Sequence, residues 1–117
     1  MPTLRELTEA IQRRPGVQAV VVLGADGLVI ETHDQTHHTA EPLAARVPAV
    51  AMAARHLGHA ANAGDAQLTL LEFETGYGII LRLSPQAMLF VSTSAEVALS
   101  ELLFDLRRHR SSMATLV

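Results

Sequence analysis

Histidines are the side chains of this 117-residue sequence that come closest to a chemical site. Apart from His109 they fall in two groups, His33, His37 and His38 beside Asp34, and His56 with His59. Imidazole and carboxylate groups together are ligands for zinc and similar ions. Because no HExxH or comparable spacing accompanies them, we expect no metal site. A metal-responsive or small-ligand sensor stays open as an alternative function.

Side chains for covalent or nucleotide chemistry are scarce. The chain has no cysteine, and Ser92 and Ser94 lack the GxSxG context of a nucleophilic serine. The glycine pairs in GADG (24–27) and TGYG (75–78) indicate hairpin turns, and no phosphate-binding GxGxxG or GxxxxGK[ST] motif occurs. We therefore expect a protein that is not an enzyme and has no cofactor.

Composition limits the remaining functions. Hydrophobic residues make up 49% of the chain and charged residues 18%, which predicts one folded domain over residues 1–117. With 3% aromatic residues and a net charge of −3, binding to nucleic acid is not expected. No apolar run is long enough to span a bilayer, and MPTLRELTEA lacks the apolar core of a signal peptide, so we expect a cytoplasmic protein.

Local patterns predict the elements that would position any site. A capping box at Thr3 and Glu6 starts a first helix, and Pro15-Gly16 ends it after Arg14. A second capping box is predicted at Thr93 to Glu96, before a last helix that ends near Arg110 and a loose tail. The other predicted elements are strands over Val17 to Leu23 and Leu28 to Thr32, a loop over His33 to Thr39, a middle helix over Glu41 to Asn62, and strands over Leu68 to Glu74, Tyr77 to Leu83 and Ala87 to Thr93.

The predicted order is α-β-β-α-β-β-β-α. The run Val17 to Leu23 is too continuously apolar for a half-exposed strand, so we expect it to be buried on both faces. The three later strands follow one another through short turns and form an antiparallel meander. We therefore predict an α+β fold with one five-stranded antiparallel sheet and helices on both faces.

The middle helix is unusually apolar. At about 100° per residue, one arc of it would meet the sheet, formed by Leu43, Val47, Val50, Ala54, Leu57 and Ala61. Small residues border this arc on both sides, namely Ala44, Ala51 and Gly58 along one edge and Ala49, Ala53 and Ala60 along the other. Pro48 predicts a kink or a delayed helix start. The small flanks admit two interpretations, a helix covered by the chain's own loops or a helix packed against a second copy of itself. Because only short connections are available to cover them, we favour the second interpretation and predict that these flanks form a dimer interface.

The remaining face of the middle helix is polar apart from one methionine. It holds Glu41, Met52, Arg55, His56, His59 and Asn62. In the last helix, Val97 and Phe104 point away from the leucine stripe. They predict either packing against the first helix or an exposed anchor for a partner.

These segments resemble the Roadblock/LC7 family. The resemblance is carried by RPGVQAVVVLGADGLVI (14–30), PLAARVPAVAMAARHLG (42–58), YGIILRL (77–83) and MLFVSTSAEVALSELLFDLRR (88–108), and it spans nearly the whole chain. The pattern is specific for the fold and weak for a particular function.

The resemblance implies a homodimer with a ten-stranded sheet. In it the middle helices lie side by side and the strand carrying Leu68, Leu70 and Glu72 pairs with its copy. Relatives bind Ras-like small GTPases, and bacterial members similar to the gliding-motility protein MglB stimulate GTP hydrolysis. In those bacterial members the binding platform consists largely of the two middle helices. The resemblance therefore implies a partner-binding surface here at Glu41, Met52, Arg55, His56 and His59. We therefore expect a non-enzymatic homodimeric regulator of a Ras-like GTPase, with a structural adaptor similar to dynein light chains as a further alternative.

Overall fold

The computed structural model describes residues 2–34 and 40–117. Its elements are helices α1 (Leu4–Gln12), α2 (Ala40–Ala60) and α3 (Leu99–Ala114) and strands β1 (Val17–Gly24), β2 (Val29–Asp34), β3 (Leu68–Phe73), β4 (Gly76–Ser84) and β5 (Ala87–Ser94). The strands form one antiparallel sheet in the order β2-β1-β5-β4-β3. The predicted α+β fold class and element order are confirmed.

Strand β1 supplies both faces of the core, as its sequence predicted. Successive side chains of a strand point to opposite faces, so Val20 and Val22 enter one apolar layer while Val21 and Leu23 enter the other. Helices α1 and α3 cover the first layer, and α2 covers the second. The sheet therefore separates two surfaces of different composition.

Helix α1 begins where the capping box places it. The Thr3 hydroxyl accepts a hydrogen bond from the Glu6 amide at 3.1 Å, and the Glu6 carboxylate accepts one from the Thr3 amide at 3.2 Å. These two bonds satisfy amides that have no partner inside the helix. Arg13 is the C-cap, so the predicted end of this helix is also confirmed.

The start and end of α3 differ from the prediction. Thr93 and Ser94 still belong to β5, and the Thr93 hydroxyl donates to the Ser94 carbonyl at 3.0 Å, so no helix starts at the predicted cap. The helix begins at Leu99 after Ala98, whose side chain makes no capping bond. It continues past Arg110 to Ala114 because Met113 is fully buried under the sheet. The predicted loose tail is therefore wrong over this range.

Strand β2 is longer than expected and includes His33, which the sequence assigned to a loop. His33 pairs with Val20 of β1, which places its side chain on the face covered by α1 and α3. Antiparallel pairing with β1 continues through the two polar residues His33 and Asp34, which extends the strand beyond its predicted end. The rest of the predicted loop, residues 35–39, lies outside the described residues.

Candidate interaction surfaces

Helix α2 is mostly uncovered in the single chain. Of its 21 residues only Ala44 and Val47 are buried, and Leu43, Val50 and Ala51 pack partly against the same core. Leu57, predicted to face the sheet, is 71% exposed. The inward side of the helix therefore consists of Val47 from the predicted arc together with Ala44 and Ala51, which border that arc along one edge.

Pro48 lies inside a continuous helix, so a delayed start is excluded. A proline at this position leaves the Ala44 carbonyl without its usual helical amide partner. The β1–β2 turn approaches this carbonyl closely, because a Cβ on Gly27 would lie 3.4 Å from the Ala44 oxygen. Gly27 has a φ of +86°, a value that favours glycine. The turn thus packs against the point where Pro48 interrupts the hydrogen-bond ladder.

The five residues predicted to bind a partner are all exposed, namely Glu41, Met52, Arg55, His56 and His59. Met52 is 54% exposed, a large apolar side chain on an otherwise polar surface. Arg55 and His59 are not independent, since both contact the carboxylate of Asp65. Sequence reasoning identified the exposed face and missed the acidic residue that organises it.

Asp65 is brought to α2 by the way the helix ends. Asn62 has a left-handed φ of 59°. The Ala63 amide donates to the Gly58 carbonyl at 2.8 Å and the Asn62 amide to the His59 carbonyl at 3.1 Å, which is the Schellman pattern. The chain then turns back along the helix. Asparagine and glycine after an apolar helical segment were the sequence signal for this turn.

The Asp65 carboxylate joins two elements. Its Oδ1 lies 2.6 Å from His59 Nε2 and 3.1 Å from Arg55 Nε, and its Oδ2 lies 3.7 Å from Arg82 of β4. The hydrogen bond from His59 is the main reason that the pKa of Asp65 is lowered; burial opposes this shift, and Arg55 and Arg82 add to it. Asp65 therefore stays ionised and holds the end of α2 against β4.

The predicted dimer residues of α2 divide into two groups. Ala49, Ala53 and Ala60 are exposed. Ala44 has no exposed surface and packs inside its own subunit, so its assignment to a subunit interface is wrong. Gly58 faces its own chain as well, because a Cβ there would collide with the Gly64 carbonyl oxygen. Ala51 is half-buried against the core of its own chain.

Strand β3 is an edge of the sheet. Its inner side pairs with β4, and its outer side has no strand partner within the described ranges 2–34 and 40–117. Leu70 and Glu72 are exposed, whereas Leu68 is half-buried and packs into the core. Phe73, at the end of the strand, exposes more than half of its surface. This edge carries unpaired backbone groups beside apolar side chains, as an edge-to-edge interface needs.

The described histidines of the two predicted groups lie on opposite sides of the sheet. His33 lies on the sheet face opposite α2, while His56 and His59 lie on α2 itself. Over the part of the chain that the structure describes, no three acidic or histidine side chains are grouped as metal ligands. His37 and His38 are among the residues that are not described.

Phe104 is the main exposed apolar residue of the other helical layer. It is 65% exposed, with the Arg108 guanidinium 5.7 Å from its ring centroid. Arg108 and Arg14 both pair with Asp105 beside it. Val97, predicted together with Phe104, instead packs into the core under α1 and α3. The packing interpretation is therefore right for Val97 and wrong for Phe104.

A family model for the Roadblock/LC7 domain matches residues 3–93. The chain belongs to the Roadblock/LC7 family. A Roadblock/LC7 domain from Streptomyces avermitilis superposes with a TM-score of 0.86 at 22% identity, covering 97% of each chain. Myxococcus xanthus MglB superposes with a TM-score of 0.87 at 11% identity, covering 97% of this chain and 93% of MglB.

A third similar structure is MglB in a tetrameric arrangement, with a TM-score of 0.85, 16% identity and coverage of 97% of this chain and 86% of that chain. At such identities the likeness is one of Roadblock/LC7 fold. A comparison with proteins of curated function gave no match. None of the helices in the described ranges is long and apolar enough to cross a bilayer.

Proposed function

We propose that this Roadblock/LC7 domain is a homodimeric regulator that binds a Ras-like small GTPase and modulates its GTP hydrolysis. The observation that carries the proposal is the exposed face of α2, where Met52 lies beside the Arg55, His59 and Asp65 cluster. An exposed apolar side chain within fixed charges is typical of a protein interface. Family membership and the MglB neighbours support a GTPase as the partner.

The homodimer is supported by surfaces that the single chain leaves uncovered. Leu57 on α2 and Phe73 at the end of β3 are both exposed, and β3 offers its backbone edge. A second copy would pair with that edge and cover these side chains about one twofold axis. The tetrameric arrangement of an MglB structure is a precedent for self-association within the fold.

The regulator would act without a catalytic group of its own. Arg55 is held by Asp65 at 3.1 Å, which fits a fixed surface contact rather than an arginine that inserts into a partner's active site. Regulation then requires that the domain bind two conformations of the GTPase with different affinities. The cytoplasm is the compartment in which we expect it to meet such a partner.

A binding and turnover experiment tests this function. Candidate GTPases from the same genome are loaded with GDP or a non-hydrolysable GTP analogue, and their affinity for the domain and their GTP turnover are measured. We expect binding that prefers one nucleotide state and a changed turnover. Absence of binding in both states, across the candidates, would refute the proposal.

Two matched variants test the surface. Met52→Asp replaces an exposed apolar side chain on α2, and Phe104→Asp does the same on α3, across the sheet. Since a buried carboxylate at an apolar contact costs several kcal/mol, Met52→Asp should weaken binding at least tenfold. Phe104→Asp should leave it unchanged. The reverse pattern would assign the GTPase to the α3 face.

A further inference from the structure

A cavity of about 200 Å³ lies between α2 and the sheet. Its apolar walls include Pro48 and Ala51 of α2, Ile80 of β4 and Met88 of β5. It is somewhat larger than the engineered cavity of about 150 Å³ that holds benzene, so it suits a ligand of roughly eight to ten non-hydrogen atoms. The methionine adds an adaptable surface that fits hydrocarbon chains of different shape.

The polar part of the lining carries unequal charge. Arg55 and Arg82 both line the cavity, and Asp65 is the acidic residue there. Two guanidinium groups against one ionised carboxylate leave a net charge of +1 from these three groups. Thr69 and Ser84 add hydroxyl groups to the same lining. The cavity therefore favours an anionic head group on an apolar body.

The guanidinium of Arg82 retains its hydrogen-bonding capacity. Its Nη2 lies 3.7 Å from Asp65 Oδ2, beyond hydrogen-bond distance, and its side chain makes no hydrogen bond within residues 2–34 and 40–117. Its backbone is fixed, because the Arg110 Nε donates to the Arg82 carbonyl at 2.7 Å. A planar donor on a fixed strand matches a carboxylate, which accepts two parallel hydrogen bonds from one guanidinium.

We propose that this cavity binds a small apolar monocarboxylic acid. The carboxylate lies on Arg82 and Arg55, and the hydrocarbon part lies against Pro48, Ile80 and Met88. This binding does not depend on the proposed GTPase function, and its test contains no GTPase, so either proposal can fail alone.

The test is titration of the purified full chain with hexanoate, followed by calorimetry and by the methyl NMR signals of Ile80 and Met88. Hexylamine and 1-hexanol are the controls, since they keep the chain length and change the head group. We expect one hexanoate per chain, shifted signals at both residues, and at least tenfold weaker binding of the two controls. No binding of hexanoate, or equal binding of all three compounds, would overturn the proposal.

Two pairs of variants separate the head-group contact from the cavity. Arg82→Met should weaken hexanoate binding at least tenfold, whereas Arg46→Met, an exposed arginine of α2 outside the cavity, should not change it. Ala66→Leu fills part of the lining and should weaken binding, whereas Ala63→Leu in the same turn is outside the lining and should not. Circular dichroism of each variant confirms that it is folded. Unchanged binding in both Arg82→Met and Ala66→Leu would refute the site.

Discussion

Leu57 provides the sharpest test of the proposed homodimer. It exposes 71% of its surface in the single chain, so Leu57→Ala removes no intrachain core contact. Full burial of a leucine is worth roughly 1.5–3 kcal/mol, so burying the exposed 71% on association is worth roughly 1–2 kcal/mol per subunit. A twofold interface contains the residue twice, which gives about 2–4 kcal/mol per dimer. The dimer dissociation constant should therefore rise roughly 30-fold to 700-fold.

Sedimentation equilibrium over a concentration series measures this change, and thermal unfolding at high concentration checks the subunit fold. Leu28→Ala is the matched control, because Leu28 is 69% exposed but lies beside the β1–β2 turn, at the opposite edge of the sheet from β3. We expect this control to keep the wild-type dissociation constant. Equal effects of the two substitutions, or a monomeric wild-type protein, would refute the proposed interface.

Three further predictions concern the subunit itself. Gly58→Ala should lower the unfolding free energy by about 1–3 kcal/mol despite the better helix propensity of alanine, because the added Cβ meets the Gly64 carbonyl oxygen. Denaturant unfolding measures this change, and a stabilised variant would contradict the close contact. Asp65 has a lowered pKa in the folded chain, so its carboxylate stabilises the fold above the unfolded-state pKa, and this contribution is lost as pH falls through the folded-state pKa. Below about pH 4 the unfolding free energy of Asp65→Asn should therefore fall less steeply with pH than that of the wild type, and parallel curves of unfolding free energy against pH would contradict this prediction. Met113→Ala should cost about 2–5 kcal/mol, whereas Val117→Ala should cost little; equal small losses would mean that α3 is not anchored at its end.

The Asp65 cluster links the proposed partner surface to the proposed ligand cavity. Arg55 contacts Asp65 and belongs both to the exposed face of α2 and to the cavity lining. A carboxylate ligand that draws Arg55 toward the cavity would change the charge presented to a partner. Coupling of this kind has to be reciprocal, so a bound GTPase would change the affinity for the acid by the same factor.

Sequence and structure agree where local chemistry decides the outcome. The capping box at Thr3 and Glu6 started a helix because both hydrogen bonds close within four residues. The apolar run of β1 became a strand buried on both faces because alternating side chains supply two core layers. A similar Thr-x-x-Glu pattern at Thr93 failed, because pairing of β5 with its neighbours continued through Ser94.

The orientation of α2 is where sequence alone was insufficient. The angular pattern of α2 predicted an apolar arc, but it did not show which edge of the arc meets the sheet. As a result Leu57 was predicted to face the sheet and is exposed, whereas Ala44 was predicted at a subunit interface and is buried. Small residues such as Ala44 and Gly58 fit either surface, and only the placement of the β1–β2 turn and of residues 63–66 distinguishes them.

Residue patterns alone were enough to predict the element order, the strand buried on both faces, the family resemblance and the exposed polar face of α2. Those properties depend on residue periodicity and on caps and turns, which act over a few positions. The contacts of Asp65 with Arg55, His59 and Arg82, and the cavity beneath them, depend instead on tertiary packing. Arg82 lies 17 positions from Asp65 along the chain, and their approach depends on how α2 crosses the sheet, which no local pattern encodes.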